Sequence, residues 1–337
     1  MSKFCLNYEK VTDDNCGDRR DNLARAVESR KNKMTRRNFI EAVGMSAAAG
    51  ALSGCATESI APEGDVLDVW QRDTDLVTPE IYYRYLEDGD TRGFRTLENL
   101  ESGFAKVLKE IDGCKIVDTP AVWHIYNMGY IVKTKESLFS IDLNHRRDVR
   151  LAPKLDFALI THNHGDHFRE PFYQAMNGAK KTVISNFKDN YGAADWRKGG
   201  SWYESGGYTR AEKTFHIKDV EIRTALTDHN AYLVDFTTTF EIRVGGWKLF
   251  HSGDCGNSKK LKTVWGEPDI WLVFPGCGID IADAYKRIHP KRMVFGHLWE
   301  LGHSTGRLTT PMVKQAREKV SAVGGAAEVP LWGERII

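Results

Sequence analysis

Four side chains of the kinds that bind metal ions stand within six residues of this sequence. His162, His164, Asp166 and His167 directly follow the apolar run 157–160, which predicts a buried strand. Side chains two residues apart in an extended segment point the same way, so His162 and His164 can share one ion. A turn after His164 can present Asp166 and His167 to a second ion beside the first. Imidazole and carboxylate groups together suit zinc, manganese or iron.

The alternative for this segment is a polar surface loop. A His-x-His-x-Asp-His pattern directly after an apolar strand is specific enough to disfavour that alternative. The pattern resembles the signature of the metallo-β-lactamase superfamily, and the resemblance extends over roughly residues 122–319. It implies an α/β fold of four layers, an αββα sandwich, with the site along one edge of the two sheets.

The resemblance also implies three further ligands, each of which follows a predicted strand. His229 follows the strand at 220–226 and would complete a first site with the first two histidines of the motif. Asp254 lies in a Gly-Asp turn, and in the family this carboxylate bridges both metals. His297 follows the strand at 292–295 and would join the last two side chains of the motif at a second site.

Three other polar residues have two interpretations each. His216 competes with His229 as a ligand, but it precedes its strand and lies in a charged segment. His303 competes with His297; as a catalytic residue it would donate a proton or contact substrate, and otherwise it is a surface histidine. Asp142 ends a predicted strand and resembles a family aspartate that supports the ligands, with a strand-end cap as the alternative.

The implied centre holds two divalent metal ions, zinc in the first place and manganese or iron as alternatives. Such ions lower the pKa of a bridging water from about 15.7 toward 7, which makes hydroxide available at neutral pH. The implied activity is hydrolysis of an ester, lactone or phosphodiester bond in a small-molecule or lipid substrate. Asp166 would act as both a ligand and a proton acceptor.

Two other functions stay open, and one class of partner is disfavoured. The chain could be a non-catalytic surface lipoprotein that keeps a metal for stability or binding, or a redox protein with iron at the same ligands. A purely structural zinc site is usually closed by four protein ligands, so the longer ligand set favours the hydrolase. The formal net charge is only +1, without the basic excess that nucleic-acid binding requires. The six cysteines contain no C-x-x-C pair, which disfavours a structural zinc knot.

Short β-rich runs with helical stretches between some of them predict one catalytic domain over residues 115–337. The predicted strands cover residues 121–126, 130–133, 138–141, 157–160, 182–185, 220–226, 236–244, 247–251, 270–273 and 292–295. The predicted helices cover residues 96–112, 281–288 and 311–320. The segment 189–208 is rich in glycine and aromatic residues and is predicted to be a wall of the substrate pocket, with an ordinary surface insertion as the alternative.

The beginning of the chain predicts an export signal. Arg36 and Arg37 precede a short apolar run, and Leu-Ser-Gly-Cys ends at Cys55, so that residues 34–55 resemble a twin-arginine signal with a lipobox. The apolar run is too short for a bilayer span, which takes about 20 residues. Lipidation of Cys55 would make the protein an exported, extracytoplasmic lipoprotein anchored to a membrane. The alternative is an N-terminal helix packed on the domain.

The segments on either side of this signal are predicted to lie outside the catalytic domain. Residues 1–33 are expected to be a disordered extension, because they are charged and poorly patterned. Residues 56–114 are expected to be a tether, polar over 56–90, followed by one helical segment. The oligomeric state cannot be predicted from the sequence.

Overall fold

The computed structural model describes residues 65–186, 212–303 and 307–337. The predicted extension and export signal over residues 1–55 lie outside the described residues, and so does the predicted pocket wall at 189–208. Both interpretations therefore stay predictions.

Two β-sheets carry the fold in the described part of the chain. Their strands are β1 (Ala121–Tyr126), β2 (Gly129–Lys133), β3 (Leu138–Ile141), β4 (Phe157–Ile160), β5 (Thr182–Ser185), β6 (Lys213–Ile217), β7 (Val220–Thr227), β8 (Thr237–Val244), β9 (Trp247–His251), β10 (Ile270–Val273), β11 (Met293–Phe295) and β12 (Ala327–Glu328). The first sheet has the order β1-β2-β3-β4-β5, and the second has the order β12-β11-β10-β9-β8-β7-β6. Strands β3 to β5 are parallel to one another, and so are β9 to β12.

Six α-helices cover these sheets within the same residues. They are α1 (Asp65–Thr74), α2 (Pro79–Asp88), α3 (Arg95–Gly113), α4 (Glu170–Gly178), α5 (Ile281–Ile288) and α6 (Thr310–Ser321). In the described ranges, none of the helices combines the length and the apolar character that crossing a membrane requires.

The alternation of side chains along each strand divides the core into an inner layer and outer layers. In β4, Phe157 and Leu159 belong to a cluster that also takes side chains from the second sheet, such as Leu272 of β10. The intervening Ala158 and Ile160 belong to the cluster that the helices complete. Because both faces of β4 are covered, all four of its residues are buried. Two sheets face to face with helices outside them confirm the predicted αββα sandwich.

The predicted polar tether over residues 56–90 is wrong for residues 65–88. This segment forms α1 and α2, and its Leu67, Tyr82 and Tyr85 are buried in the same cluster as the sheet residues. The hydroxyl group of Thr310 at the start of α6 donates a hydrogen bond to the Leu67 carbonyl at 3.1 Å. The apolar side chains were overlooked because acidic and basic residues separate them, although their spacing matches one face of a helix.

A test of this correction compares two alanine variants of α1. Leu67→Ala should lower the free energy of unfolding by about 2–5 kcal/mol, because it removes a buried side chain from the core. Arg72→Ala is the matched control, since Arg72 is exposed on the same helix and should change stability by less than about 0.5 kcal/mol. Urea denaturation measures both values. Equal stability of the two variants would contradict the packing of α1 on the domain.

Candidate metal centre

The candidate ligands lie in loops that leave the sheets at one edge. In the second sheet, β7 and β9 both pair antiparallel with β8, so they run in the same direction, and β9 to β11 are parallel. Their carboxyl ends therefore lie at one edge of the sheet, where His229, Asp254 and His297 follow β7, β9 and β11. The histidine motif follows β4 of the first sheet and lies at the same edge. A hydrogen bond of 2.8 Å from the amide of Thr238 in β8 to the carbonyl of Thr161 joins the two sheets there.

Three histidines form the first group. The structure brings His162, His164 and His229 together, with one nitrogen of each within 4.8 Å of the others. The ring centroid of His162 lies 4.6 Å from that of His164 and 5.2 Å from that of His229. Phe236 packs against all three rings at centroid distances from 5.0 to 6.0 Å. His162 is buried, whereas the other two histidines are partly exposed.

Two carboxylates and two imidazoles form the second group, and all four are buried. The group consists of Asp166, His167, Asp254 and His297. The Nε2 atom of His167 lies 3.3 Å from Asp166 Oδ2 and 3.2 Å from Asp254 Oδ1. The Nε2 atom of His297 lies 2.8 Å from Asp166 Oδ2 and 3.2 Å from Asp254 Oδ2.

Asp254 reaches both groups with one carboxylate. Its Oδ1 atom faces His167, and its Oδ2 atom lies between His297 and His229, 3.6 Å from the Nε2 atom of His229. This is the placement that a bridging carboxylate between two neighbouring ions would need. The alternative ligand His216 lies on β6 with its side chain 71 % exposed, outside both groups.

The residues fit metal ions by two criteria. First, two buried polar atoms of the centre, His162 Nε2 and Asp166 Oδ1, have no hydrogen-bond partner. Buried polar atoms without partners are rare and unfavourable, so a cation that accepts their lone pairs accounts for them. Second, two ligand atoms on one tetrahedral zinc ion lie about 3.3 Å apart. The distances of 3.2 and 3.3 Å from the His167 Nε2 atom to the two carboxylates match this spacing.

The charges of the centre depend on one another. Burial alone would raise the pKa of Asp254, but the imidazoles of His167 and His297 outweigh burial and hold it well below its usual range. Burial alone would lower the pKa of His167, but Asp254, Asp166 and Asp142 raise it well above its usual value. The pKa of His162 falls well below its usual value because the ring is buried beside other histidines. The lowered pKa leaves the ring of His162 unprotonated at neutral pH.

Asp142 supports the motif from behind the ligands. Its Oδ2 atom lies 2.8 Å from His167 Nδ1 and accepts a hydrogen bond from the Thr161 hydroxyl group at 2.7 Å. Its Oδ1 atom accepts from the Thr161 amide at 2.7 Å. Asp142 thus makes the contacts of both predicted roles, since it caps the end of β4 and fixes the ring of a candidate ligand.

The loop that carries Asp254 depends on the glycine before it. Gly253 has φ +54°, and a Cβ atom there would lie 2.6 Å from Thr237 Cγ2 and 3.0 Å from Thr161 Cβ. A side chain at this position would have to displace the side chains of Thr237 and Thr161. The Gly-Asp turn therefore places Asp254 against the histidines because residue 253 has no side chain.

Asn127 was not predicted as a site residue. It lies in the tight turn between β1 and β2 with φ +57°, and its Nδ2 atom donates a hydrogen bond to Asp166 Oδ2 at 3.1 Å. Its carbonyl group accepts from the His297 amide at 2.9 Å. Asn127 thereby holds two members of the second group in place. Asparagine is common in turns, so the sequence carries no signal that separates this residue from an ordinary turn residue.

His303 lies apart from both groups, so the geometry favours His297 as the candidate ligand. The side chain of His303 is 59 % exposed, and its Nδ1 atom lies 3.0 Å from Glu300 Oε2. Glu300 is buried and also accepts the His303 amide at 3.1 Å. The hydrogen bond to Glu300 raises the pKa of His303. The sequence did not indicate Glu300, because an acidic residue three positions before a histidine is common.

The remaining buried histidines make structural contacts. The Nε2 atom of His124 lies 3.0 Å from the Asn127 carbonyl, and that of His251 lies 3.1 Å from the Met128 carbonyl. Cys255 is buried as well, with its Sγ atom 3.1 Å from the hydroxyl group of Thr227.

The support from Asp142 can be tested by metal affinity. Asp142→Ala should weaken metal binding by about 10–100-fold, because His167 loses the partner that orients its ring. Competition with a chromogenic chelator measures the affinity. Asp118→Ala, at an exposed position, is the control and should bind metal as the wild type does. An unchanged affinity in Asp142→Ala would show that His167 needs no such partner.

Comparisons with known proteins identify the family of this chain. The profile of one family, described as the beta-lactamase superfamily domain, matches residues 108–294, more than half of the chain. A metal-dependent hydrolase of Rubrobacter xylanophilus is 26 % identical over 152 residues, which are 42 % of this chain and 60 % of that relative's length. Igni18, a metallo hydrolase of Ignicoccus hospitalis, has a TM-score of 0.48 and 17 % identity over 64 % of this chain and 97 % of its own. CmlA, a diiron β-hydroxylase of Streptomyces venezuelae, has a TM-score of 0.47 and 14 % identity over 65 % and 54 % of the two chains. The family match confirms the resemblance of the histidine motif, and the chain belongs to the beta-lactamase superfamily.

Proposed function

We propose that the protein is a metal-dependent hydrolase with a two-metal centre. The observation that carries this proposal is the position of Asp254. Its carboxylate belongs to the second group and also lies 3.6 Å from His229 of the first group. A group that only stabilised the fold would need one closed set of four ligands, whereas seven candidate ligands surround this centre. The relative from Rubrobacter xylanophilus carries the description of a metal-dependent hydrolase, which supports the same activity.

The chain's own residues would hold and orient the two ions. When bound, two divalent ions would lower the pKa of a water molecule and polarise the substrate bond that is to be cleaved. His162, His164 and His229 would hold one ion, and the second group would hold the other. Asp142 and Asn127 would fix the orientation of the second group through their hydrogen bonds to His167 and Asp166.

The exposure of the ligands indicates the side from which substrate enters. His164 and His229 are partly exposed, whereas all members of the second group are buried. A substrate would therefore approach over the first group. We propose an ester, lactone or phosphodiester as the bond that is cleaved, in a small molecule or a lipid, as the resemblance of the motif implies. Zinc fits the nitrogen-rich first group best, with manganese and iron as alternatives.

Two residues are placed to move protons. Asp166 is ionised, because His167 and His297 outweigh the effect of burial and hold its pKa well below its usual range. The ionised carboxylate has lone pairs that can take up a proton, and the lowered pKa means that it would hold that proton only briefly before passing it on. Glu300 would hold a proton on Nδ1 of His303 through their hydrogen bond. When His303 is protonated, its Nε2–H group could donate a proton to a leaving group.

The proposal predicts the metal content of the purified protein. The full chain, purified without chelators, should contain about two ions of zinc, manganese or iron, measured by plasma mass spectrometry. Asp254→Ala should release at least one ion and abolish hydrolysis, because both groups lose their shared carboxylate. Asp118→Ala serves as the control. Unchanged metal content and rate in Asp254→Ala would contradict the bridging role.

The same protein should hydrolyse at least one of three substrate classes, namely model esters, lactones and phosphodiesters. Metal-loaded protein that is inactive on all three would support the alternative function of a non-catalytic metal-binding surface protein. Absence of metal even after reconstitution would contradict both functions.

His303 is expected to act in turnover and not in metal binding. His303→Ala should keep both ions and should lower the rate constant by about 10²–10⁴-fold, the usual contribution of a proton donor. Glu300→Gln should lower the pKa of His303, because the amide no longer stabilises the protonated imidazole. The decline of activity at high pH should therefore begin at a lower pH. Loss of an ion in His303→Ala would mean that this histidine is a ligand.

A further inference from the structure

A cysteine that belongs to none of the predicted ligand positions lies beside the candidate metal centre. Cys277 follows the carboxyl end of β10, between the strands whose loops carry Asp254 and His297. Its Sγ atom lies 3.8 Å from His229 Nδ1 and 4.0 Å from Asp254 Oδ2. One ligand atom each of His229, Asp254 and Cys277 lie within 4.8 Å of one another.

The three loops converge because residue 256 has no side chain. A Cβ atom at Gly256 would lie 2.4 Å from the carbonyl oxygen of His229 and 2.6 Å from that of Cys277. Its amide donates a hydrogen bond to the Asp228 carbonyl at 2.8 Å. The backbones that carry His229 and Cys277 are therefore held against each other at this glycine, and the position of the thiol is set by packing.

A donor atom without a partner points to a cation at this place. His162 Nε2, whose ring lies 5.2 Å from that of His229, is buried and has no hydrogen-bond partner. A sulfur and a nitrogen on one tetrahedral zinc ion lie about 3.5 Å apart, given zinc–sulfur and zinc–nitrogen bonds of about 2.3 and 2.0 Å. The distance of 4.0 Å from Cys277 Sγ to Asp254 Oδ2 is longer than that spacing. The contact of 3.8 Å is with Nδ1 of His229, whereas Nε2 of the same ring faces Asp254 at 3.6 Å. The thiol would therefore move toward the ion on binding it.

We propose that Cys277 supplies a further, thiolate ligand to the metal that His229 and Asp254 hold. The inference rests on the proposed function, because it needs a metal at the centre. On binding, the S–H bond breaks, its proton passes to solvent, and the thiolate donates an electron pair to the metal, with no change of oxidation state. A soft thiolate among imidazoles and carboxylates favours zinc over the harder manganese ion. A thiolate ligand therefore disfavours manganese among the metals that the histidine motif leaves open.

Cobalt(II) gives a test that does not depend on activity. The full-length protein loaded with cobalt should show a thiolate-to-cobalt charge-transfer absorption in the near ultraviolet. Cys277→Ala and Cys277→Ser should bind cobalt but lack this absorption. The matched controls Cys114→Ala and Cys255→Ala should retain it, since Cys114 ends α3 and Cys255 contacts Thr227. Zinc-over-manganese selectivity should fall by at least about tenfold in Cys277→Ala and stay constant in the controls.

A second measurement uses the unaltered chain and does not require that the variants fold. Alkylation of Cys277, mapped by peptide mass spectrometry, should be blocked by bound zinc and restored by a chelator. Cobalt binding without the charge-transfer absorption, or the same absorption in Cys277→Ala, would overturn the ligand role and leave the proposed function intact. Equal alkylation of Cys277 with and without zinc would do the same. A protein that binds neither zinc nor cobalt would overturn both.

Discussion

The structure of the candidate centre depends on compensating the buried negative charge of the Asp254 carboxylate. A buried negative charge is tolerated only where positive charge or hydrogen bonds compensate it, and here the neighbours are imidazoles that are buried themselves. His167 and His297 lie within 3.2 Å of this carboxylate, and His229 lies 3.6 Å from it. Each of these groups is stable in the protein interior because the others are present, so the centre must be assembled as a whole.

The fold provides this assembly through the direction of its strands. The histidine motif comes from the first sheet, and the other candidate ligands come from three strands of the second sheet that run the same way. Packing of the two sheets through their inner apolar layer therefore also brings the two halves of the centre together. We therefore expect a substitution in that layer, such as at Phe157 or Leu272, to disturb the metal centre through the packing of the two sheets.

The sequence predicted those parts of the fold and site that show a pattern of residue types over a few consecutive positions. Strands such as β4 and β10 are short apolar runs covered on both faces, and the predicted bounds agree with the structure. Helices α1, α2 and α4 and strands β6 and β12 were missed, because short amphipathic or edge segments resemble polar loops. Asn127 and Cys277 could not be predicted, because only long-range packing brings a turn residue and a lone cysteine next to the ligands.

The two helices that precede the family match, α1 and α2, belong to the same packed domain as the candidate metal centre. The family profile starts at residue 108, yet α1 and α2 contact the segment that follows the last candidate ligand. The Tyr83 hydroxyl group donates to the Gly302 carbonyl at 3.4 Å, and Arg307 Nη2 donates to the Val77 carbonyl at 3.1 Å. A protein that began at residue 108 and kept the rest of the chain would retain every candidate ligand and lose the contacts that anchor the loop with His303. A unit expressed for structural and enzymatic work should therefore include α1 and α2, from residue 65 onward.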